Sequence, residues 1–293
     1  MSRSQKVAAF FLLLLSTVPA CGIGYFPAGA WGRPLSIRGK QIQPRIRVSD
    51  EWASGDPPEV SNLDAITREA LGDWWLLDAQ KEHASIPAFA RLAWQLTALG
   101  APAELLERTY RAGMQEIRHA RRCFALVSAY RGESVGVMPM PELADADAQT
   151  DLVKLAVESL VDGCLIEGVN ADAAQLALTR ATDPAVHQLL RIISVDEASH
   201  ADLAWSIVEW CIEGGGDEVV AALEHALANV PANVGGLYSD ELAAKVAQCS
   251  LADLHAHGRV PLEDWPGLFT ARLEHVRTRL DLLRAQPICT AAA

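Results

Sequence analysis

Apolar side chains recur at alternating steps of three and four along four stretches of this chain, and each stretch carries a glutamate where the stripe calls for an apolar residue. One stripe runs Trp75, Ala79, Glu82, Ile86, Phe89, Ala93, and a second runs Val153, Val157, Leu160, Cys164, Glu167, Ala171, Ala174. A third runs Val186, Leu190, Ile193, Glu197, His200, Ala204, Ile207. The remaining stretch is less uniformly apolar but aligns Ala112, Glu116, His119, Cys123 and Val127 in the same way. That period puts each set on one face of an α-helix, so the spacing predicts four amphipathic helices with their glutamates turned into a core.

Helix breakers set the ends. The pattern predicts one helix from Asp64 to Leu99, stopped by Gly100 and Pro102, with Pro87 kinking it beyond Glu82. Others are expected over about Ala103 to Arg131, Thr150 to Thr182, and Pro184 to Glu213, the last ended by Gly214, Gly215 and Gly216. Short turns join the first helix to the second and the third to the fourth, so each pair must be an antiparallel hairpin. Measured from those turns at about 1.5 Å per residue, Glu82 matches Glu116 in depth, and Glu167 matches Glu197, to within about one turn. Between the hairpins, Gly136, Pro139 and Pro141 forbid regular helix over Gly132 to Gln149. Extended, that segment reaches roughly 60 Å, enough for a crossover that leaves the middle helices parallel. Two or three further amphipathic segments follow, at about 217–230, 239–257 and 263–285, expected to pack on the bundle or contact a partner. Their histidines, His225, His255, His257 and His275, are expected at the surface. The expected fold is all-α: a four-helix bundle over 63–214 with a C-terminal helical extension over 215–293.

Composition narrows the setting. Half of the 293 residues are hydrophobic, sufficient for a sizeable core. A net charge of -12 without long acidic runs argues against binding nucleic acid or an anionic lipid surface. The N-terminus has Arg3 and Lys6, the apolar run Val7 to Leu15, and then Val18-Pro19-Ala20-Cys21. That order reads as a signal peptide over 1–21, too short for a mature membrane span. Its last four residues resemble a bacterial lipobox, which implies lipidation of Cys21 and a membrane anchor. Ordinary cleavage after Ala20 fits the same residues. Gly22, where an Asp would retain a lipoprotein at the inner membrane, implies an exported outer-membrane lipoprotein facing the periplasm. Residues 22–62, rich in Gly, Pro and basic side chains, read as a tether that can dock on the bundle. Export implies an oxidising compartment, where the five cysteines beyond Cys21 leave at least one unpaired or joined to another chain. Cys123 and Cys164 lie within one turn of His119 and Glu167 but are expected to be small core side chains.

An ionised carboxylate in an apolar stripe costs several kcal/mol unless a cation meets it, so four of them point to metal. Two divalent cations would neutralise four glutamates and two neutral histidines. Trp94 and Tyr110 are expected in the core rather than in chemistry. His83 points about 100° away from Glu82 and is expected exposed or behind the ligands.

The order Glu82, Glu116-x-x-His119, Glu167, Glu197-x-x-His200 resembles that of the ferritin-like di-iron carboxylate superfamily. The resemblance covers about residues 64–213 and implies a four-helix bundle holding two iron ions, or manganese. It implies terminal carboxylates at Glu82 and Glu167, bridging carboxylates at Glu116 and Glu197, and one histidine per metal at His119 and His200. Asp196 matches an Asp that in many members orients a histidine from another helix. The corresponding residue in the other half is Gln115. Asn170 stands where some members carry a further glutamate, and no Cys-x-x-Cys occurs, so a rubrerythrin-type peroxide reductase is disfavoured. Hard carboxylate and imidazole ligands suit iron or manganese in two oxidation states and leave positions open for dioxygen or peroxide. Three functions are consistent with these residues: an exported oxidoreductase, a metal-handling protein, and a structural helical lipoprotein.

Overall fold

The structure is a computed structural model and describes residues 33–147, 149–231 and 239–285. The signal-peptide residues, Cys21 and Cys289 lie outside the described residues. The chain is predominantly helical, with only short strands, so the all-α expectation holds. No helix among the described residues is long and apolar enough to cross a membrane.

Side-chain caps mark the starts of the first, third and fourth helical stretches. Helix α1, Ala65–Ala98, begins at Asp64, whose carboxylate accepts from the Ile66 and Thr67 amides, and α2 spans Ala103–Arg131 and ends on Gly132 in the left-handed region. The third helical stretch is composite: α3, Leu152–Glu158, capped by Asp151, passes through a π-helical segment, Ser159–Glu167, into α4, Gly168–Arg180. Helix α5 starts at Pro184 behind the Asp183 cap. The span of α5, Pro184–Ala228, is two helical parts that meet at Gly216, whose backbone is non-helical (φ 56°, ψ -139°), so the glycines interrupt the helix where the sequence placed its end. Beyond that break Val219, Leu223 and Leu227 bury themselves on the core, as expected of a further amphipathic segment.

Paired side chains give the helix directions. Arg131 reaches Asp73 while His119 reaches Glu82, so α1 and α2 are antiparallel. Arg108 pairs with Asp202 while His119 pairs with Asp196, so α2 and α5 are antiparallel too. Gly214 lies against Leu152 while Gly163 lies against Ala204, which makes α5 antiparallel to the third stretch. Helix α2 and the third stretch are therefore parallel, as the length of the crossover allowed.

The segment before α1 docks on the bundle. Strands β1 (Ser36–Ile37) and β2 (Lys40–Gln41) form a small hairpin, and β3 (Ile46–Val48) pairs antiparallel with β4 (Val135–Val137) of the crossover. The crossover continues into a 3-10 turn, Pro141–Asp145. Leu35 and Arg33 are buried.

The C-terminal helices α6 (Asp240–Val246), α7 (Leu251–Ala256) and α8 (Trp265–Ala285) close over the bundle. Gly258 has φ +77° and sits so close to α5 that a β-carbon would lie 2.6 Å from Val186, so both conformation and space demand glycine. Just beyond it, Arg259 is buried and its Nη1 meets Asp78 Oδ2 at 2.7 Å, with its guanidinium 3.8 Å from the Trp75 ring centroid.

Trp94 and Tyr110 are not core residues; they are 69% and 63% exposed. Each projects from the outer face of its helix. His257 is not at the surface but buried, because Tyr130 Oη lies 2.8 Å from its Nδ1 and its carbonyl accepts from Trp75 Nε1. His225 and His275 are exposed and His255 partly so.

A candidate metal centre

Four helical stretches bring the six sequence-predicted ligands to one place. Glu82 of α1, Glu116 and His119 of α2, Glu167 at the end of the π segment, and Glu197 and His200 of α5 are all 0–1% exposed. They fall into two groups whose ligand atoms lie within 4.8 Å of one another: Glu82, Glu116, His119 and Glu197, and then Glu116, Glu167 and His200. Glu116 belongs to both. Glu197 belongs to the first, although its Oε1 is also 3.8 Å from His200 Nδ1. This buried cluster could hold a metal ion.

Both imidazoles face inward through Nδ1. His119 Nδ1 is 3.2 Å from Glu82 Oε2 and 3.8 Å from Glu116 Oε2. His200 Nδ1 is 3.2 Å from Glu116 Oε1 and 3.9 Å from Glu167 Oε1. The outer nitrogens are held by the two residues singled out behind the ligands: His119 Nε2 by Asp196 Oδ2 at 2.9 Å, and His200 Nε2 by Gln115 Oε1 at 3.0 Å.

The interior of the cluster is short of donors. Glu82 Oε1, both oxygens of Glu116, both of Glu197, Glu167 Oε1 and His200 Nδ1 are buried without a hydrogen-bond partner. Such atoms cost about 1–3 kcal/mol each when left unpaired, more when charged. Burial, reinforced by Glu116, pushes Glu82 up to about 8. Burial likewise pushes Glu167 up to about 7, against the pull of Arg33 and His200. Glu197 is held well above the carboxylate range by burial and by Glu116, Glu82 and Glu167. Burial drives His200 down to about 4, whereas for His119 the pull of burial is overcome by Glu82, Asp196 and Glu116, so it holds its proton well above the usual range. Each upward carboxyl shift reflects the cost of an ionised group in this closed interior.

The π segment serves the site geometrically. A β-carbon on Gly163 would lie 2.3 Å from Ala204 Cβ and 3.5 Å from Glu167 Oε2, so glycine there permits the close approach to α5 that seats Glu167. Extra residues in a helical turn of this kind often occur at functional sites.

Sequence reasoning missed three charged neighbours. Asp78 lies one turn before Glu82 and is buried with Arg259; burial, partly offset by Arg259, pushes it up to about 6. Lys81 is buried, and burial brings it down to about 8. Arg33 Nη1 stands 3.4 Å from Glu167 Oε2, and both side chains are buried. An acid at helical spacing from Glu82 was a visible signal for Asp78. Arg33 carried none, because its contact spans 134 positions. Cys123 and Cys164 are buried free thiols, as expected of core side chains, and burial raises both well above the usual thiol range. His83 is partly buried against Trp52, with ring centroids 4.5 Å apart, and faces away from the cluster.

Comparison of the chain with protein-family profiles, with curated proteins and with solved structures found no match.

Proposed function

We propose that this chain is an exported, ferritin-like di-metal carboxylate protein that holds two iron ions, or manganese, and acts as an oxidoreductase with dioxygen or peroxide. One observation carries the reading: the partnerless buried oxygens of Glu82, Glu116, Glu167 and Glu197 face the inward Nδ1 atoms of His119 and His200. Glu82, Glu116, His119 and Glu197 would hold one ion, and Glu116, Glu167 and His200 the other. Hard oxygen and imidazole donors suit iron or manganese in both divalent and trivalent states, and such ions supply one-electron chemistry when bound. The protein's own part is to fix both imidazole tautomers through Asp196 and Gln115, to keep bulk water away, and to release protons as metal enters.

The enclosure of all six ligands favours small reactants. It also supports a second reading, a protein that oxidises or stores metal without an organic substrate. Metal analysis of protein purified without chelators, followed by ultraviolet-visible spectra under dioxygen and peroxide, tests both. Two metals per chain with an oxidant-dependent spectral change support the oxidoreductase; metal uptake without turnover of any added reductant supports metal handling. No uptake, with identical melting with and without iron or manganese, leaves a structural helical lipoprotein.

The localisation belongs to the same proposal and rests on residues 1–21, with Cys21 as the lipidated residue and the outer membrane as the anchor. Membrane fractionation should show the mature chain with membranes, and Cys21→Ser should release it or block processing. Soluble periplasmic protein with an unmodified Cys21 would count against the anchor.

A further inference from the structure

Arg33 lies at the start of the described chain, ahead of the first hairpin, yet its guanidinium is inside the bundle. Its Nη1 is 3.4 Å from Glu167 Oε2, the contact joins side chains 6% and 0% exposed, and its Cζ lies 5.6 Å from the Phe89 ring centroid. Phe89 in turn stands edge-on to His200, with centroids 5.0 Å apart. The backbone is tied down too: Ser85 Oγ lies 2.9 Å from Arg33 O and 3.0 Å from Lys81 O, so its one proton anchors the segment to α1. The space is fitted to the guanidinium, since a β-carbon on Gly163 would meet Nη1 at 3.2 Å.

A buried arginine beside a buried carboxylate is usually a mutual neutralisation. Here the carboxylate is also a ligand of the cluster, so the charge count changes. Four glutamates and two divalent cations sum to zero with neutral imidazoles, and Arg33 then adds one positive charge on the Glu167 side. Asp162 also feels Arg33, but Glu167 is the carboxylate it touches. A fixed cation in a poorly screened interior disfavours each further positive charge nearby. It therefore favours the divalent over the trivalent state of the adjacent ion. The contact also holds Glu167 Oε2, leaving Oε1 as the free donor toward the cluster.

We infer that Arg33, supplied by the segment N-terminal to the bundle, is a positioning residue of the metal centre that fixes Glu167 and raises the reduction potential of the metal beside it. This rests on the proposed di-metal site.

The test is a redox titration of the full chain loaded anaerobically with ferrous ions, following the absorbance of the oxidised form, with metal content measured on the same samples. Arg33→Gln should retain two irons and lower the midpoint potential, making the oxidised form about tenfold more favoured at a given potential, about 59 mV for one electron. Arg33→Lys keeps the charge and should recover most of that shift. Ser85→Ala frees the anchoring backbone without touching the charge and should move the potential in the same direction by less; it stands in should Arg33→Gln fail to fold. A wild-type protein that takes up no iron overturns the di-metal reading and this inference with it. Wild type with two irons, and Arg33→Gln or Ser85→Ala with two irons at an unchanged potential, overturns the role of Arg33 alone. An Arg33→Lys shift as large as that of Arg33→Gln overturns the charge account.

Discussion

Gln115 and Asp196, which occupy matching positions before the two Glu-x-x-His sequences, bond to each other at 2.5 Å and each holds the histidine of the other's helix. The direction of every proton follows. An ionised Asp196 only accepts, so it takes the Nε2 proton of His119 and an amide proton of Gln115. Gln115 must then turn its oxygen to His200, which donates from Nε2. Both imidazoles are left with Nδ1 as the inward atom, a lone pair in the neutral form. The interaction with the His119 imidazole helps hold Asp196 below the usual carboxylate range despite its partial burial.

Breaking that chain should weaken metal without removing a ligand. Asp196→Ala is expected to reduce metal affinity by about 10 to 100-fold. Gln115→Leu should act in the same direction, mainly through His200. Competition against a chromogenic chelator measures both. Because the two residues share a bond, the double variant should lose less than the product of the single losses.

Glu116 is the residue common to both groups, so on the di-metal reading Glu116→Ala should cut metal content from two per chain to one or none, and abolish any oxidant-dependent spectrum. Glu197→Ala, whose group lacks Glu167 and His200, should retain the Glu167-side metal better than Glu116→Ala does. Elemental analysis of the purified variants decides this. Equal retention by the two variants would return Glu197 to the bridging role that the resemblance assigned it.

Removing metal should make stability pH-dependent with a definite sign. Glu82 is pushed up to about 8 and Glu167 to about 7, from 4.5 unfolded, so the native apo protein binds more protons than the unfolded chain across that range. Its stability must fall as pH rises through it. Glu197 and His119, both shifted upward, act in the same sense. His200, moved from 6.5 down to about 4, opposes them only below about 6.5. The apo melting temperature should therefore drop most clearly between about pH 6.5 and 8, while the metal-loaded protein shows a smaller drop. Calorimetry at fixed ionic strength reads this, and Glu116→Gln should raise apo stability while impairing metal binding.

The Asp78–Arg259 pair should matter for stability. Asp78→Ala leaves a guanidinium buried against Trp74 and Trp75 with no counter-charge, and is expected to cost about 3–5 kcal/mol in denaturant unfolding. Asp78→Asn, which keeps a hydrogen-bond acceptor, should cost less.

Period and punctuation determined the four helical stretches, their breakers and the six inward residues, because a repeat near 3.6 residues depends only on local geometry. A lone acid in an apolar stripe is visible for the same reason. Pairing β3 with β4, burying His257 on Tyr130 and leaving Trp94 outside depend instead on which surfaces meet, and tertiary packing decided them. The π segment shows the boundary between the two. The stripe placed Glu167 inside, but how closely Gly163 approaches Ala204 depends on the neighbouring helix. Arg33 lies wholly on the tertiary side: electrostatic contact acts through space, and no spacing rule links residues 33 and 167.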